Sequence, residues 1–422
     1  MKVYIKENTN YYAPIKYVLK LIEKNRKLTF SFVDSVENAD ISWDEHHPSS
    51  EPIDISFYNN LIENRELLKH ENYFSEEPTL DPKQDLIAPI FYLVNCLQEI
   101  STSPEDFDNF NRFKYTHSYQ YKFKNIERNL VEELMNVFCT KHNLTGKKTK
   151  SRFFISHDID TIYGSLLQDG FWAVKNLKIG TLLHLITLEL MRKPHWRNMD
   201  KIIKINDEYD VKTTFFWLVN KGKGTQDVMN ADYKINKEKD LLELVANSNN
   251  TNGLHKSCST MSINEELTKG NISNPYNRYH FLNFKAHSDW KKISDSDLEF
   301  DGSLGFAEHY GFRNSYGKAF QPFNVDEKKP YDFVEAPLHF MDGTFHKYMK
   351  MPSQNIAKTI INFYEKNNEN CDFSLLWHNT YFTNYKYNSF LEEYKKVLSY
   401  LYENKIDCVT PQHLIDENKL TW

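Results

Sequence analysis

The 422-residue chain predicts an α/β protein built on a largely parallel sheet. Two observations carry that expectation. From residue 152 onward, short apolar runs alternate with segments of helical spacing. Those runs also stop at polar residues of chemical reach: 152–156 leads into His157, Asp158, Ile159 and Asp160, Gly253 and Leu254 lead into His255, and 373–377 ends at His378. In parallel barrels the carboxyl ends of the strands carry the active site.

Each element has its own warrant. Residues 1–5, 28–33 and 53–57 read as short strands, and 15–23 as a helix. Residues 85–100 predict one helix, with Ile87, Ile90, Phe91, Val94 and Leu97 on one face. Pro89 falls in its first turn, where a missing N–H costs little. The acidic stretch 101–108 is a loop, and 129–138 a further helix. This part holds no phosphate loop, metal cluster or nucleophile motif, and reads as a smaller α/β accessory domain over 1–145. A basic linker, 145–151, precedes the second domain, 151–422. There 213–219 (TTFFWLV) is a buried strand, 199–209, 240–246 and 390–403 are helices, and 344–365 holds a helix beginning near Pro352.

Composition bounds the rest. Hydrophobic residues at 40% and charged residues at 26% allow a large core. A formal charge of -6 gives no general affinity for nucleic acid or an anionic membrane. Residues 1–19 lack the apolar core of a signal peptide. The longest apolar stretch, 179–191, is shorter than the about 20 residues needed to span a bilayer. Its Leu182, Leu183, Ile186 and Leu190 predict a helix packed on the main domain, with a lid or a membrane-surface contact as the alternatives. Five widely spaced cysteines without a CxxC leave a zinc knuckle and a disulfide framework unsupported. The expectation is a cytoplasmic protein with reduced thiols and no transmembrane segment.

The chemistry-bearing residues come in short motifs. Asp158 and Asp160 are two apart, so in a strand both carboxylates face one point, where a cation relieves their repulsion. The same pair also fits a capped turn. His255 in GLHKSCST ends a short strand. Arg278 and His280 in NRYHFLNF share a face. The stretch 301–324 concentrates aromatics (Phe306, Tyr310, Phe312, Tyr316) around Arg313, as a sugar-sized pocket requires, or as a buried irregular loop does. His378 in SLLWHNTYF is placed as a general acid, with Asp342 holding its tautomer, or as a packed strand-end histidine.

In this order the motifs resemble the polysaccharide deacetylases, the carbohydrate esterase family four type, in a bacterial branch with an extra N-terminal domain. The resemblance runs from about residue 152 to the C-terminus. It implies a distorted (β/α)7-type barrel, one divalent metal ion (zinc, with cobalt, nickel or manganese as alternatives) and hydrolysis of an N-acetyl group on a sugar or polysaccharide. It implies Asp158 as catalytic base, Asp160 and His255 as metal ligands, Arg313 as the arginine that holds the base, Asp342 as the carboxylate behind the acid, and His378 as the acid. The family's second motif has two histidines four apart; here the second is Ser259, a poor zinc ligand. His280 takes its place as the expected third ligand, with His287 in reserve. A non-catalytic carbohydrate-binding protein and a metal-dependent hydrolase of another C–N bond are the rival readings.

Overall fold

The computed structural model describes residues 1–422 apart from 165, 192, 194 and 384 and the side chains of 167 and 168. Near the N-terminus β1 (Lys2–Ile5), β2 (Ser31–Phe32) and β3 (Ile41–Trp43) form a parallel sheet of order β2-β1-β3. Residues 53–57, expected as the third strand, instead start a helix, Ile55–Glu63. Asp54 caps it, accepting a hydrogen bond from the Phe57 N–H at 3.0 Å. The helix expected over 85–100 is shorter, Ile87–Val94, because Cys96 takes a left-handed conformation (φ 49°) that ends the helical turn.

The main sheet draws on β4 (Arg152–Ile159), β5 (Thr214–Leu218), β6 (Thr251–Lys256), β7 (Tyr276–Tyr279) and β8 (Phe300–Asp301). A two-stranded antiparallel ribbon follows, β9 (Phe323–Asn324) and β10 (Lys329–Pro330). Then β11 (Val334–Glu335), β12 (Phe340–Met341) and β13 (Asp372–Leu376) complete an eight-stranded sheet of order β11-β8-β7-β6-β5-β4-β13-β12. Every neighbouring pair in it is parallel.

That sheet has to curl. Laid flat, eight strands would be about 34 Å across at about 4.8 Å per strand. Yet its two edge strands, β11 and β12, are joined by residues 336–339 alone, a connection that reaches at most about 17 Å. Leu338 N donates to Leu304 O (2.9 Å) and His339 N to Ser374 O (3.3 Å), bridging the two sides of the seam. The result is a distorted parallel barrel. Alternation along β4 sets its contents: Phe154 packs inside with Phe216, Phe300 and Val334, while Phe153 and Ile155 face the outer core. Ser156 and Asp158 continue the inward series toward the carboxyl end. Leu414 and Ile415, from the helix Pro411–Asn418, close the opposite end.

The N-terminal region shares its core with the barrel. Phe91 meets Phe323 edge-on (5.1 Å between ring centres), and Tyr17 donates to Gln321 O at 2.7 Å. Two helices, Leu166–Lys175 and Ile179–Leu190, leave the barrel after β4 as a hairpin. The helix over 179–191 was expected to pack on the main domain. Instead Leu185 alone of its residues is buried; Leu183, Ile186 and Leu190 face solvent. The reason is that its packing partner is the neighbouring helix, so its outer stripe has nothing to cover. Among the described residues, no helix is long and apolar enough to cross a membrane.

Candidate metal and acid–base centre

Five strand ends bring the chemistry together. Asp158 lies near the end of β4 and Asp160 just beyond it. His255 is the penultimate residue of β6, His280 follows β7, Asp342 follows β12, and His378 stands two residues past β13. His255 Nε2 is 3.3 Å from Asp160 Oδ1, and His280 Nδ1 is 3.4 Å from the same oxygen. The two imidazole nitrogens are 3.1 Å apart. These three ligand atoms form a set of metal-binding size.

The tautomers follow from the outer hydrogen bonds. His255 Nδ1 is 2.9 Å from Arg278 O, and His280 Nε2 is 3.0 Å from Met229 O. A carbonyl only accepts, so each of these nitrogens carries the proton. In the neutral rings, His255 Nε2 and His280 Nδ1 are then left as lone pairs, aimed at each other and at a carboxylate oxygen. Asp160 Oδ1 is buried and accepts no hydrogen bond. Three acceptors converging without a donor fit a cation. An N–H donated to a carbonyl is also the usual way a ligating histidine is held. The electrostatics agree. Burial alone would raise the Asp160 carboxyl, but the neighbouring His280, His255 and His378 hold it well below the usual carboxylate range. Burial would lower His255, and Asp158 with Asp160 raises it instead. The point between these groups favours positive charge.

Asp158 and His378 flank that point. Arg278, fully buried, donates from Nη1 to Asp158 Oδ1 (3.2 Å) and to Ser156 Oγ (2.6 Å), and from Nε to Gly302 O (2.9 Å). Its guanidinium lies 4.8 Å from the Phe216 ring centre. Gly253 allows that ring its place, since a Cβ there would sit 2.7 Å from it. His378 Nδ1 is 2.7 Å from Asp342 Oδ1, and its Nε2 faces Asp160 Oδ2 at 3.7 Å. Burial pulls the His378 pKa down; Asp342, by charge and hydrogen bond, and then Asp160 and Asp158 lift it to about 9. That is a protonated acid with its second N–H turned toward the centre.

Several expected residues lie elsewhere. Arg313, expected to hold Asp158, is bound to Glu99 (Nε–Oε1 3.1 Å, Nη2–Oε2 2.7 Å) and to Gly305 O. It ties the N-terminal region to the barrel; the arginine on Asp158 is Arg278. Phe306, Tyr310, Phe312 and Tyr316, expected along a sugar pocket, are core residues. Phe312 and Tyr316 are buried, Phe306 packs with Phe113 and Ile126, and the Tyr310 hydroxyl donates to Glu127. The stretch around them is thus a buried irregular loop. The reserve ligand His287 is bonded to Cys96 O and stacks edge-on to Trp290, and Ser259 donates to Glu266.

A cavity of about 250 Å³ opens over the centre, with Asp158, Asp160, His255 and His378 at its base. Its wall includes Phe110 and Arg112 from the N-terminal region, with Phe281 and Tyr348. The Phe110 and Phe281 rings are parallel, 5.6 Å apart. Phe281 and Leu282 are both left-handed (φ 57° and 53°), a costly backbone for apolar side chains that turns Phe281 to the cavity. Arg112 donates to the Tyr348 hydroxyl (2.9 Å) and Phe281 O (3.3 Å) and pairs with Asp108. Lys347 and Tyr348 belong to a wide π-type turn, Thr344–Tyr348, ahead of the helix Ile356–Lys366, which starts close to Pro352 as expected. Arg278 carried a sequence signal, its shared face with His280. Phe110 and Arg112 carried none.

Residues 1–145 match a family of unknown function, DUF7033. No curated protein matches the chain. Solved structures similar to it include polysaccharide deacetylases. A candidate polysaccharide deacetylase from Mycobacterium smegmatis aligns at 13% identity and a TM-score of 0.41, over 65% of this chain and 95% of that one. The peptidoglycan deacetylase PdaC from Bacillus subtilis aligns at 13% identity and 0.26, over 64% and 92%. A CE4-family pseudoenzyme from Bacillus anthracis aligns at 10% identity and 0.29, over 65% and 69%.

Proposed function

We propose that the chain is a metal-dependent hydrolase that removes N-acetyl groups from a sugar or glycan. The observation that carries this reading is the convergence of His255 Nε2, His280 Nδ1 and Asp160 Oδ1, three acceptors without a donor, between an arginine-held carboxylate and a protonated histidine. Asp160, His255 and His280 are the ligands. One aspartate and two imidazoles with open positions suit zinc, and also cobalt, nickel or manganese. A divalent ion there supplies a Lewis acid for the amide carbonyl and a lowered pKa for water.

The chain's own groups do the rest. Asp158 accepts the proton of the attacking water, and Arg278 fixes its carboxylate in the inward orientation. His378 delivers a proton to the amine as the C–N bond breaks, and Asp342 keeps its Nδ1–H in place. Water and amide become acetate and free amine. Phe110 and Phe281 offer aromatic faces to the CH groups of the sugar, so the N-terminal region takes part in binding. The domain arrangement in this reading is an accessory 1–145 and a catalytic 151–422.

The test pairs elemental mass spectrometry with turnover of acetylated oligosaccharides. Asp158→Asn should keep its metal and lose about 10²–10⁴ in kcat. His280→Ala should lose metal, and His287→Ala should not. A wild-type protein that takes up no zinc, cobalt, nickel or manganese would instead be a carbohydrate-binding protein. Turnover of small cyclic amides in preference to acetylated sugars would establish the other C–N hydrolase.

A further inference from the structure

We propose that the helical hairpin after β4 is a docking element for an anionic phospholipid bilayer. Its inner side is anchored. Buried Asp169 accepts from the Tyr385 hydroxyl (2.9 Å) and pairs with Lys386 (3.2 Å), and Ala173 and Leu185 are buried. Its outer side has no cover. Phe171, Leu177, Ile179, Leu183, Leu190 and Met191 are all exposed, Leu177 by 86% and Leu190 by 80%. Exposed apolar side chains elsewhere are scattered along the chain; here they gather on one protrusion, which marks an interaction site.

The tip is built to present an apolar residue. Leu177 N donates to Val174 O and Lys178 N to Ala173 O, the closing bonds of a helix C-terminus. The left-handed position in that turn (φ 54°) is usually glycine, and here it is Leu177, aimed at solvent. Lys175 and Lys178 flank it and Lys193 follows Met191, all three exposed. Among the described residues 171–193, Glu189 is the only exposed acidic group. A locally basic, apolar wedge on a chain of net charge -6 complements an anionic lipid surface. The helices are 10 and 12 residues long, too short to span a bilayer, so the hairpin lies in the interface. It leaves the barrel directly after Asp160, so docking brings the site-bearing end of the barrel to lipid. This inference is independent of the catalytic reading.

Co-sedimentation with vesicles tests it, using phosphatidylcholine alone and phosphatidylcholine mixed with phosphatidylglycerol. The full chain should bind the mixed vesicles more tightly. Leu177→Ser, Ile179→Ser and Leu183→Ser together should weaken binding at least about tenfold, with an unchanged unfolding midpoint, since all three side chains are exposed. Lys175→Glu with Lys178→Glu should cost about fivefold per lysine on mixed vesicles and little on phosphatidylcholine. No binding by the wild type, or equal binding by the triple serine variant, overturns the proposal. So does a vesicle-free dimer in light scattering that the serine variant dissociates, which would make the occupant a second copy of the chain.

Discussion

Arg278 and Arg313 are both buried, both bound to a carboxylate and both bonded to a backbone carbonyl, yet they serve different regions. Arg278, on β7, reaches across the barrel interior to Asp158 and hands its own carbonyl to His255. Arg313, in the irregular stretch after β8, reaches outward to Glu99 and joins the N-terminal region to the barrel. Burial, charge and pairing alone do not distinguish a site residue from a structural one. Position on the sheet does: β7 is the inner neighbour of β6, and its side chains alternate into the interior.

Parallel substitutions break the comparison most strongly. Arg313→Met leaves Glu99 buried without its partner and should cost about 3–5 kcal/mol of stability, read from denaturant midpoints, with kcat of the folded fraction unchanged. Adding Glu99→Leu should recover most of that loss, because the buried charge is gone as well. Arg278→Lys keeps a charge but loses the fork, and should cut turnover about 10–100-fold, as loss of an outer-shell partner does, with a smaller loss of stability. An Arg313→Met protein that folds normally and loses kcat would return the base-holding role to Arg313.

A buried pair without an arginine should behave in the opposite sense. Asp301 and Glu335 are register partners on β8 and β11, held by Asn277, Ser303 and Trp290. Burial raises both, Asp301 to about 6 and Glu335 well above the usual range; the Asp301 charge raises Glu335 further, while a hydrogen bond from Glu335 pulls Asp301 down. Their folded pKa values exceed the unfolded ones, so the folded state binds more protons. Their contribution to stability therefore improves as pH falls toward about 4, the Asp301 part through about 6, and is poorest on the alkaline side. Glu335→Gln removes one of the two charges while keeping its shape. It should raise stability by on the order of 2 kcal/mol at about pH 8 and flatten that part of the pH dependence. An unchanged slope between wild type and variant would show that the pair shares no proton.

What was legible in the sequence follows the same division. The strand ends that carry Asp158, Asp160, His255, His280 and His378 stood out because a parallel strand stops where its chemistry begins. The N-terminal strand-or-helix choice at 53–57 went the other way because Asp54 caps a helix, a local hydrogen bond that outweighs a short apolar run. The role of Arg278, the cavity wall from Phe110 and Arg112, and the exposed hairpin are all long-range outcomes. Residues 110 and 281 meet only because the N-terminal region folds back over the barrel rim, and no local pattern encodes that. The aromatic stretch 306–316 failed for the same reason. Aromatic density there reads equally as a pocket or as a packed seam, and the N-terminal region, by covering it, makes it a seam.

The smallest effect separates those two aromatic groups. Phe110 stacks on Phe281 over the candidate centre, whereas Tyr310 spends its hydroxyl on Glu127 in the packed seam. Phe110→Ala removes one aromatic face and should raise KM about 3–10-fold, close to 1 kcal/mol, with kcat nearly unchanged. Tyr310→Phe should leave KM where it was and cost about 1 kcal/mol of stability through its lost hydrogen bond. Steady-state kinetics on one acetylated oligosaccharide, with thermal unfolding beside it, decides the matter. A KM that moves with Tyr310 and not with Phe110 would put the sugar in the 306–316 stretch after all. A KM that moves with Phe110 alone makes the N-terminal region part of the substrate site, since Phe110 and Arg112 are its contribution to the cavity wall.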